Sequence, residues 1–92
     1  MRFYNTQHSK TTDTLRPQFE VRGKDVYPTV AHPDGQSKLP YFEIRDNKLY
    51  PTVANPQGHS AHPFYEIQGS TVHTTRFHPG GHQVSPIFHI RQ

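Results

Sequence analysis

The sequence contains no cysteine, which excludes disulfide bonds, thiolate metal sites and cysteine nucleophiles. Apolar residues are also scarce: they make up 30% of the 92 residues, so the chain can build only one thin hydrophobic core. No apolar run approaches the ~18 residues of a membrane-spanning helix, and residues 1–4 lead into polar residues rather than into the core of a signal peptide. We therefore expect a soluble, cytoplasmic, single-domain protein without a membrane partner.

Proline, histidine and aromatic residues are abundant instead. The chain has nine prolines, eight histidines, six phenylalanines and five tyrosines, and its formal net charge is only +3. Disordered chains combine few aromatic residues with a high net charge. The composition therefore favours a folded domain that is rich in turns.

A repeat of 23 residues organises the chain. The tetrapeptides FEVR, FEIR, YEIQ and FHIR begin at Phe19, Phe42, Tyr65 and Phe88. The same period separates Pro17, Pro40, Pro63 and Pro86. Units two and three are identical at 11 of 23 positions. A fixed period of this length indicates a repeat architecture, and we divide the single domain 1–92 into the units 1–23, 24–46, 47–69 and 70–92.

Each unit is predicted to form a strand, a loop and a second strand. In unit three, residues 48–54 are rich in β-forming residues, residues 55–63 in turn residues, and residues 64–68 form the second strand. Two-residue hairpin turns are predicted at the joints between units, namely Gly23–Lys24, Asp46–Asn47 and Gly69–Ser70. A leading glycine favours a type II′ turn, whereas Asp-Asn favours type I′. The hairpins therefore straddle the unit boundaries.

The two ends of the chain correspond to the halves of one further hairpin. If residues 88–91 pair with residues 2–7, the ring closes without an unpaired edge there. The sequence thus predicts an all-β fold, a closed four-fold pseudosymmetric β-hairpin repeat, propeller- or flower-like, whose termini complete one hairpin. Because Pro51 lacks an N–H for pairing outside its own hairpin, separate two-stranded blades are favoured over a continuous eight-stranded barrel.

Alternation of side chains along the hairpins separates a core face from a polar face. In the central hairpin the predicted core face holds Phe42, Ile44, Leu49, Pro51 and Val53. Its counterparts in the other units are Phe19, Val21, Val26, Pro28, Val30, Tyr65, Ile67, Val72, Phe88, Ile90 and Phe3.

Units two and three share the motif Tyr-Pro-Thr-Val-Ala-(His/Asn)-Pro-x-Gly-x-Ser-x-x-Pro-x-(Phe/Tyr)-Glu-Ile. Unit four keeps residues 78–81 of it and Pro86, and unit one keeps Thr6, Pro17 and residues 19–21. With this motif the chain resembles, over its full length, the small repeat type called the four-fold β-flower. The resemblance implies an architecture and brings no catalytic motif, so it leaves function open.

Histidines occupy corresponding loop positions in different units. One position reads Ser9, His32, Asn55 and His78, and another reads Asp13, Gln36, His59 and His82. In a closed ring His32 and His78 face each other, and the histidines of the second position are neighbours. Gathered imidazoles bind Zn²⁺, Ni²⁺ or Cu²⁺, and Asp13 can supply an oxygen. A divalent transition metal held by His32, His78, His59 and His82 is therefore one hypothesis, and turn packing of these histidines without any cofactor is the alternative.

The polar face of the hairpins is a candidate binding surface. It is formed by Glu20, Tyr27, Glu43, Tyr50, Glu66, His73, His89 and Tyr4. Cross-strand pairs of this kind also stabilise a sheet. Because nothing in the sequence distinguishes one glutamate as a general acid or base, we expect that the protein is not an enzyme.

Basic residues flank the hairpin turns and are predicted to gather at one rim of the ring. They are Arg2, Arg22, Lys24, Arg45, Lys48 and Arg91. Such an anion rim can hold a phosphate backbone or an acidic partner, and a solvated rim is the alternative.

Taken alone, the sequence favours a non-enzymatic module for protein binding or self-assembly, because a thin core gains stability from a partner. The partner is an unidentified protein or a second copy of the chain. Metal binding through the loop histidines is the second hypothesis, and nucleic-acid binding through the basic rim is the third.

Overall fold

The computed structural model describes residues 1–7, 9 and 14–91. These residues form eight strands: β1 Arg2–Asn5, β2 Pro17–Arg22, β3 Asp25–Pro28, β4 Phe42–Arg45, β5 Lys48–Pro51, β6 Tyr65–Gln68, β7 Thr71–Thr74 and β8 Phe88–Arg91. Each strand pairs with the next, and β8 pairs with β1, so the antiparallel sheet closes into a barrel. The predicted all-β fold is confirmed. Within the described part of the chain, no helix is long and apolar enough to cross a membrane.

Tight turns join the strands of each hairpin, and their backbone angles follow from their residues. Asp46 and Asn47 both have positive φ values, 52° and 62°, as a type I′ turn requires. Gly23 and Gly69 have φ values of 63° and 62°, and the residue after each has no positive φ, as in type II′. The predicted turns are confirmed.

The two ends of the chain pair as the sequence predicts. The register between β1 and β8 runs from Arg2 opposite Arg91 to Asn5 opposite Phe88. This four-residue ladder matches the ladders inside the hairpins, for example that between β4 and β5. The break in the chain therefore lies where the other hairpins have a turn.

The preference for separate blades is wrong, because ladders join neighbouring hairpins. Between β3 and β4, Asp25 pairs with Glu43 and Val26 pairs with Phe42. Equivalent two-residue ladders join β5 to β6 and β7 to β8. Pro28 lies beyond the paired residues, so its missing N–H shortens this ladder without separating the hairpins.

The core fills the inside of the barrel. Its buried side chains are Phe3, Phe19, Val26, Phe42, Leu49, Phe64, Val72 and Phe88. Most of them were predicted to belong to the core. Five further predicted core residues are partly buried and pack against it: Val21, Ile44, Tyr65, Ile67 and Ile90. Phe64 was not assigned to the core by the alternation pattern.

Two predicted core residues lie outside. Val30 and Val53 are 73% and 86% exposed. The strands that precede them end at Pro28 and Pro51, so the alternation on which their assignment rested stops before them. Both valines belong to the long loops, which all leave the barrel at the end opposite the hairpin turns.

Candidate functional site

A ring of four aromatic side chains crosses the barrel just below the long loops. Phe19, Phe42, Tyr65 and Phe88 occupy the same position of the four units. Each contacts the next around the ring, with centroid distances of 5.8, 5.4, 5.8 and 5.6 Å. The planes of neighbouring rings are inclined by 58° to 86°, an arrangement close to the edge-to-face contact that aromatic pairs prefer. We call this ring the aromatic floor.

A polar side chain begins a turn in three of the loops: His32, Asn55 and His78. Each side chain accepts a hydrogen bond from the backbone N–H two residues later, at 3.0, 2.9 and 2.9 Å. The N–H three residues later binds the carbonyl of the same residue and belongs to a glycine with positive φ. Such turns favour a side-chain acceptor at their first position, which explains why histidine or asparagine stands there.

The loops and the aromatic floor surround a cavity of about 280 Å³. Its lining includes Ser9, His32, Asn55 and His78, together with all four residues of the aromatic floor. The four residues at one of the two loop positions that the sequence singled out therefore line a single cavity.

One buried polar side chain, Gln18, belongs to the cavity wall. Gln18 is only 2% exposed, and its Nε2 atom has no hydrogen-bond partner among the described residues. Two other buried lining residues, Asn5 and Thr74, stand where units two and three have Pro28 and Pro51. Sequence reasoning missed Gln18. The available signal was that units two to four have an aromatic or aliphatic residue at the corresponding position.

Burial sets the protonation of two lining residues. Desolvation lowers the pKa of His32, and the nearby Asp34 carboxylate opposes this shift. Burial raises the pKa of Tyr65 to about 12, so its hydroxyl stays protonated. The Nε2 atom of His78 lies 2.9 Å from the Tyr65 hydroxyl oxygen, while His32 packs edge-on against Phe19 at a centroid distance of 4.9 Å.

The four histidines of the metal hypothesis are divided between two places. His32 and His78 line the cavity, whereas His59 and His82 are exposed and outside its lining. The Nδ1 atom of His82 lies 3.0 Å from a backbone carbonyl oxygen, and Asp13 lies outside the described residues. Among the residues that the structure describes, no group of three histidine, aspartate or glutamate side chains could hold a metal ion. Metal binding stays a prediction.

The eight residues of the predicted binding surface lie together on the outside of the barrel in four cross-strand pairs. The pairs are Glu20–Tyr27, Glu43–Tyr50, Glu66–His73 and Tyr4–His89. Arginines cover three of the tyrosines: the Cζ atoms of Arg22, Arg45 and Arg91 lie 4.8, 4.0 and 4.7 Å from the ring centroids of Tyr27, Tyr50 and Tyr4. These contacts stabilise the sheet and cover one face of each of these tyrosine rings.

Carboxylates partly neutralise the predicted basic rim. Glu20 pairs with Arg22 at 3.0 Å and with Arg2 at 3.7 Å. Glu43 pairs with Arg45 at 3.2 Å and with Lys24 at 3.6 Å. Such exposed pairs contribute little stability, but they reduce the positive charge that a phosphate backbone would meet. Nucleic-acid binding through this rim stays a prediction.

Comparison of the chain with protein-family models, with curated proteins and with solved structures finds no match. The cavity, the outer face and the rim are therefore interpreted from their own chemistry.

Proposed function

We propose that this protein is a non-enzymatic binding module that holds a small molecule in the cavity at the loop end of its barrel. The observation that carries the proposal is the buried amide of Gln18, whose Nε2 atom has no partner in the described part of the chain. Buried polar groups in native proteins nearly always have a hydrogen-bond partner, and each exception needs an explanation. A ligand that binds this amide supplies one.

The composition of the cavity wall supports the same function. Ligand sites combine an apolar lining with a few fixed polar groups, and here the aromatic floor is combined with polar side chains that the loop turns hold in place. The volume of about 280 Å³ lies just below the range of about 300–1,000 Å³ for ligand cavities. The size suits one small ring system better than an extended peptide.

Titration of ¹⁵N-labelled protein with a mixture of small uncharged ring compounds tests the proposal by NMR. The expected result is a saturable shift of the side-chain amide signals of Gln18 and Asn55, while the backbone signals of the outer residues Glu43 and Tyr50 stay in place. Shifts confined to the outer surface, or no saturable shift at all, would contradict cavity binding.

Protein binding or self-association through the loops is the second candidate. Six large apolar side chains of the loops are exposed, namely Leu15, Val30, Leu39, Val53, Phe77 and Val84. Exposed apolar patches commonly mark protein interfaces. If a second copy covers this surface, sedimentation velocity will show a concentration-dependent dimer that the Val53→Lys variant loses. A dimer that persists in this variant, or a strictly monomeric wild type, would oppose this candidate.

For the architecture we propose four-fold pseudosymmetry of the β-flower type. Three of the four ladders between hairpins support it, because the pair Asp25–Glu43 recurs as Lys48–Glu66 and Thr71–His89 at steps of 23 residues. A cytoplasmic location and the lack of catalytic activity stay predictions.

A further inference from the structure

The hydrogen bonds of His32 determine what this side chain offers a ligand. Its Nδ1 atom accepts the backbone N–H of Asp34 at 3.0 Å, so the proton of the neutral ring is on Nε2. Burial favours the neutral ring by lowering the pKa of His32. In the described part of the chain, no residue binds this Nε2–H group. It is therefore a hydrogen-bond donor at the cavity wall.

Tyr65 offers a second donor. The Nδ1 atom of His78 accepts the N–H of Gly80 at 2.9 Å, which places the proton of a neutral His78 on Nε2, 2.9 Å from the Tyr65 hydroxyl oxygen. The hydroxyl oxygen thus accepts this bond, and its own proton is available for another acceptor. Among the described residues, none accepts a hydrogen bond from this hydroxyl.

The amide of Gln18 differs from these two groups because it carries a donor and an acceptor side by side. A carboxamide forms paired hydrogen bonds with planar rings that present a neighbouring acceptor and N–H, as glutamine does with the N7 and N6 atoms of adenine. Gln18 lines the cavity, and its unpaired Nε2 atom is buried in the described structure. Once the carboxamide turns towards the cavity, the side chain is suited to read one edge of a planar ring.

The wall offers little charge that could compensate a strongly charged ligand. Of the described lining residues, Asp34 is the one carboxylate, and none is a lysine or an arginine. A buried anion would lack a compensating cation, which makes its binding costly. Asp34 is the one anionic group of the described lining that a cation could meet, and its carboxylate is 53% exposed and lies 3.9 Å from the Nδ1 atom of His32. The wall therefore favours an uncharged ligand that accepts hydrogen bonds.

We propose that the ligand is an uncharged planar heterocycle with an N–H group next to a carbonyl or ring-nitrogen acceptor, which is the chemistry of a nucleobase. The ring packs on the aromatic floor, Gln18 binds the donor–acceptor edge, and His32 and Tyr65 donate to further acceptors. This inference rests on the proposed function and specifies its ligand.

Isothermal titration calorimetry with adenine, uracil, indole and glucose tests the ligand class. Indole has a planar ring and an N–H but no neighbouring acceptor, and glucose has polar groups without a planar ring. Adenine or uracil is expected to bind at a stoichiometry of one, at least about tenfold more tightly than indole or glucose, because each control compound leaves buried polar groups unpaired.

The repeat supplies matched variants that keep residues already accommodated by this fold. Gln18→Ile introduces the residue of the corresponding position 87, and Tyr65→Phe introduces the residue of positions 19, 42 and 88. Both variants are expected to weaken adenine or uracil binding about tenfold. The control variant His73→Tyr copies positions 27 and 50, lies outside the cavity lining and is expected to bind as the wild type does. Circular dichroism and thermal unfolding verify that each variant folds.

The outcomes separate this inference from the proposed function. Equal binding of indole, preference for glucose, or unchanged affinity in Gln18→Ile would overturn the heterocycle proposal while leaving cavity binding intact. If none of the four compounds binds, the heterocycle proposal fails, and the NMR screen then decides whether cavity binding fails with it. Comparison with a short single-stranded oligonucleotide identifies the source of the ring: tighter binding that falls steeply with salt points to a nucleic-acid end, and salt-insensitive binding points to a free small molecule.

Discussion

A single hydrogen bond tests whether the ends of the chain are joined in solution. The Oγ1–H groups of Thr29, Thr52 and Thr75 donate to the carbonyl oxygen of a proline 12 residues earlier, at 2.5, 2.6 and 2.5 Å. Thr6 makes the corresponding bond to Pro86 at 2.7 Å. In this case alone the two partners come from opposite ends of the chain, so Thr6→Val weakens the closure of the barrel and Thr52→Val weakens an internal loop.

The two substitutions are expected to cost about the same free energy of unfolding. Valine keeps the shape of threonine but removes a partly buried hydrogen bond, and the proline carbonyl loses its partner. In Thr52→Val the N–H of Ala54 also loses an acceptor that lies 3.2 Å away. Together these losses cost about 1–3 kcal/mol. For a domain of this size each kcal/mol lowers the Tm by roughly 4–8 °C.

Urea and thermal unfolding of the two variants, measured beside the wild type, provide the assay. Thr14→Val is the control, because Thr14 is exposed in the same loop as Thr6, and its stability should stay within about 0.5 kcal/mol of the wild type. If Thr6→Val is as stable as the wild type while Thr52→Val is destabilised, the ends of the chain are not paired as described, and the reasoning is refuted.

Three further predictions concern a turn, a buried histidine and the core. Asn47→Ala should lower stability by about 1–2 kcal/mol in urea unfolding because alanine disfavours the positive φ of 62°, whereas Asn47→Gly should be neutral or stabilising. Since burial lowers the pKa of His32 below 6.5 in the folded chain, the unfolded chain binds the proton more tightly, and stability that is present above about pH 6.5 falls as the pH drops towards the folded pKa. The difference in Tm between pH 7.5 and pH 5 should therefore be smaller in His32→Asn, and an equal difference would contradict this origin. Phe3 is 0% exposed, so Phe3→Ala should cost about 3–5 kcal/mol by urea unfolding, and a loss below about 1 kcal/mol would show that the core is packed differently.

The strands and turns could be predicted because local chemistry and the repeat agree. Asp46 and Asn47 tolerate positive φ, the residues on either side alternate between apolar and polar, and the period of 23 residues shows the same pattern in each unit. Pairing of the two ends followed from the register alone. The cross-strand pair of Glu43 and Tyr50 was likewise predictable by counting from the turn.

The errors arose where the chain leaves the regular strand. Val53 follows Pro51 and Thr52, and the alternation pattern carries no information on how far the strand continues. Phe64 precedes β6 and is buried against Phe42 and His78. Three of the four ladders that join the hairpins contain only two residue pairs. The sequence pattern does not show whether a missing N–H shortens such a ladder or abolishes it.

The candidate site was predictable only in part. His32 and His78 were identified from their corresponding positions, but the sequence could not show that turns use their Nδ1 atoms or that the Nε2 atom of His78 contacts the Tyr65 hydroxyl. Gln18 was missed because its importance depends on two structural facts: the side chain is buried beside a cavity, and its Nε2 atom has no hydrogen-bond partner among the described residues. Such a property arises from packing of distant residues and has no local sequence pattern.

Native mass spectrometry of the untagged protein with added adenine tests the central claim most directly, since it measures both the number of chains and the number of ligands. A barrel that one chain closes by itself, with one cavity, predicts a 10.6 kDa species that carries a single adenine, and the Gln18→Ile variant should carry much less. If the protein is found only as oligomers even at the lowest concentrations, closure of the barrel by one chain is contradicted. If the wild-type monomer carries no more adenine than the Gln18→Ile variant does, binding in the cavity through Gln18 is contradicted.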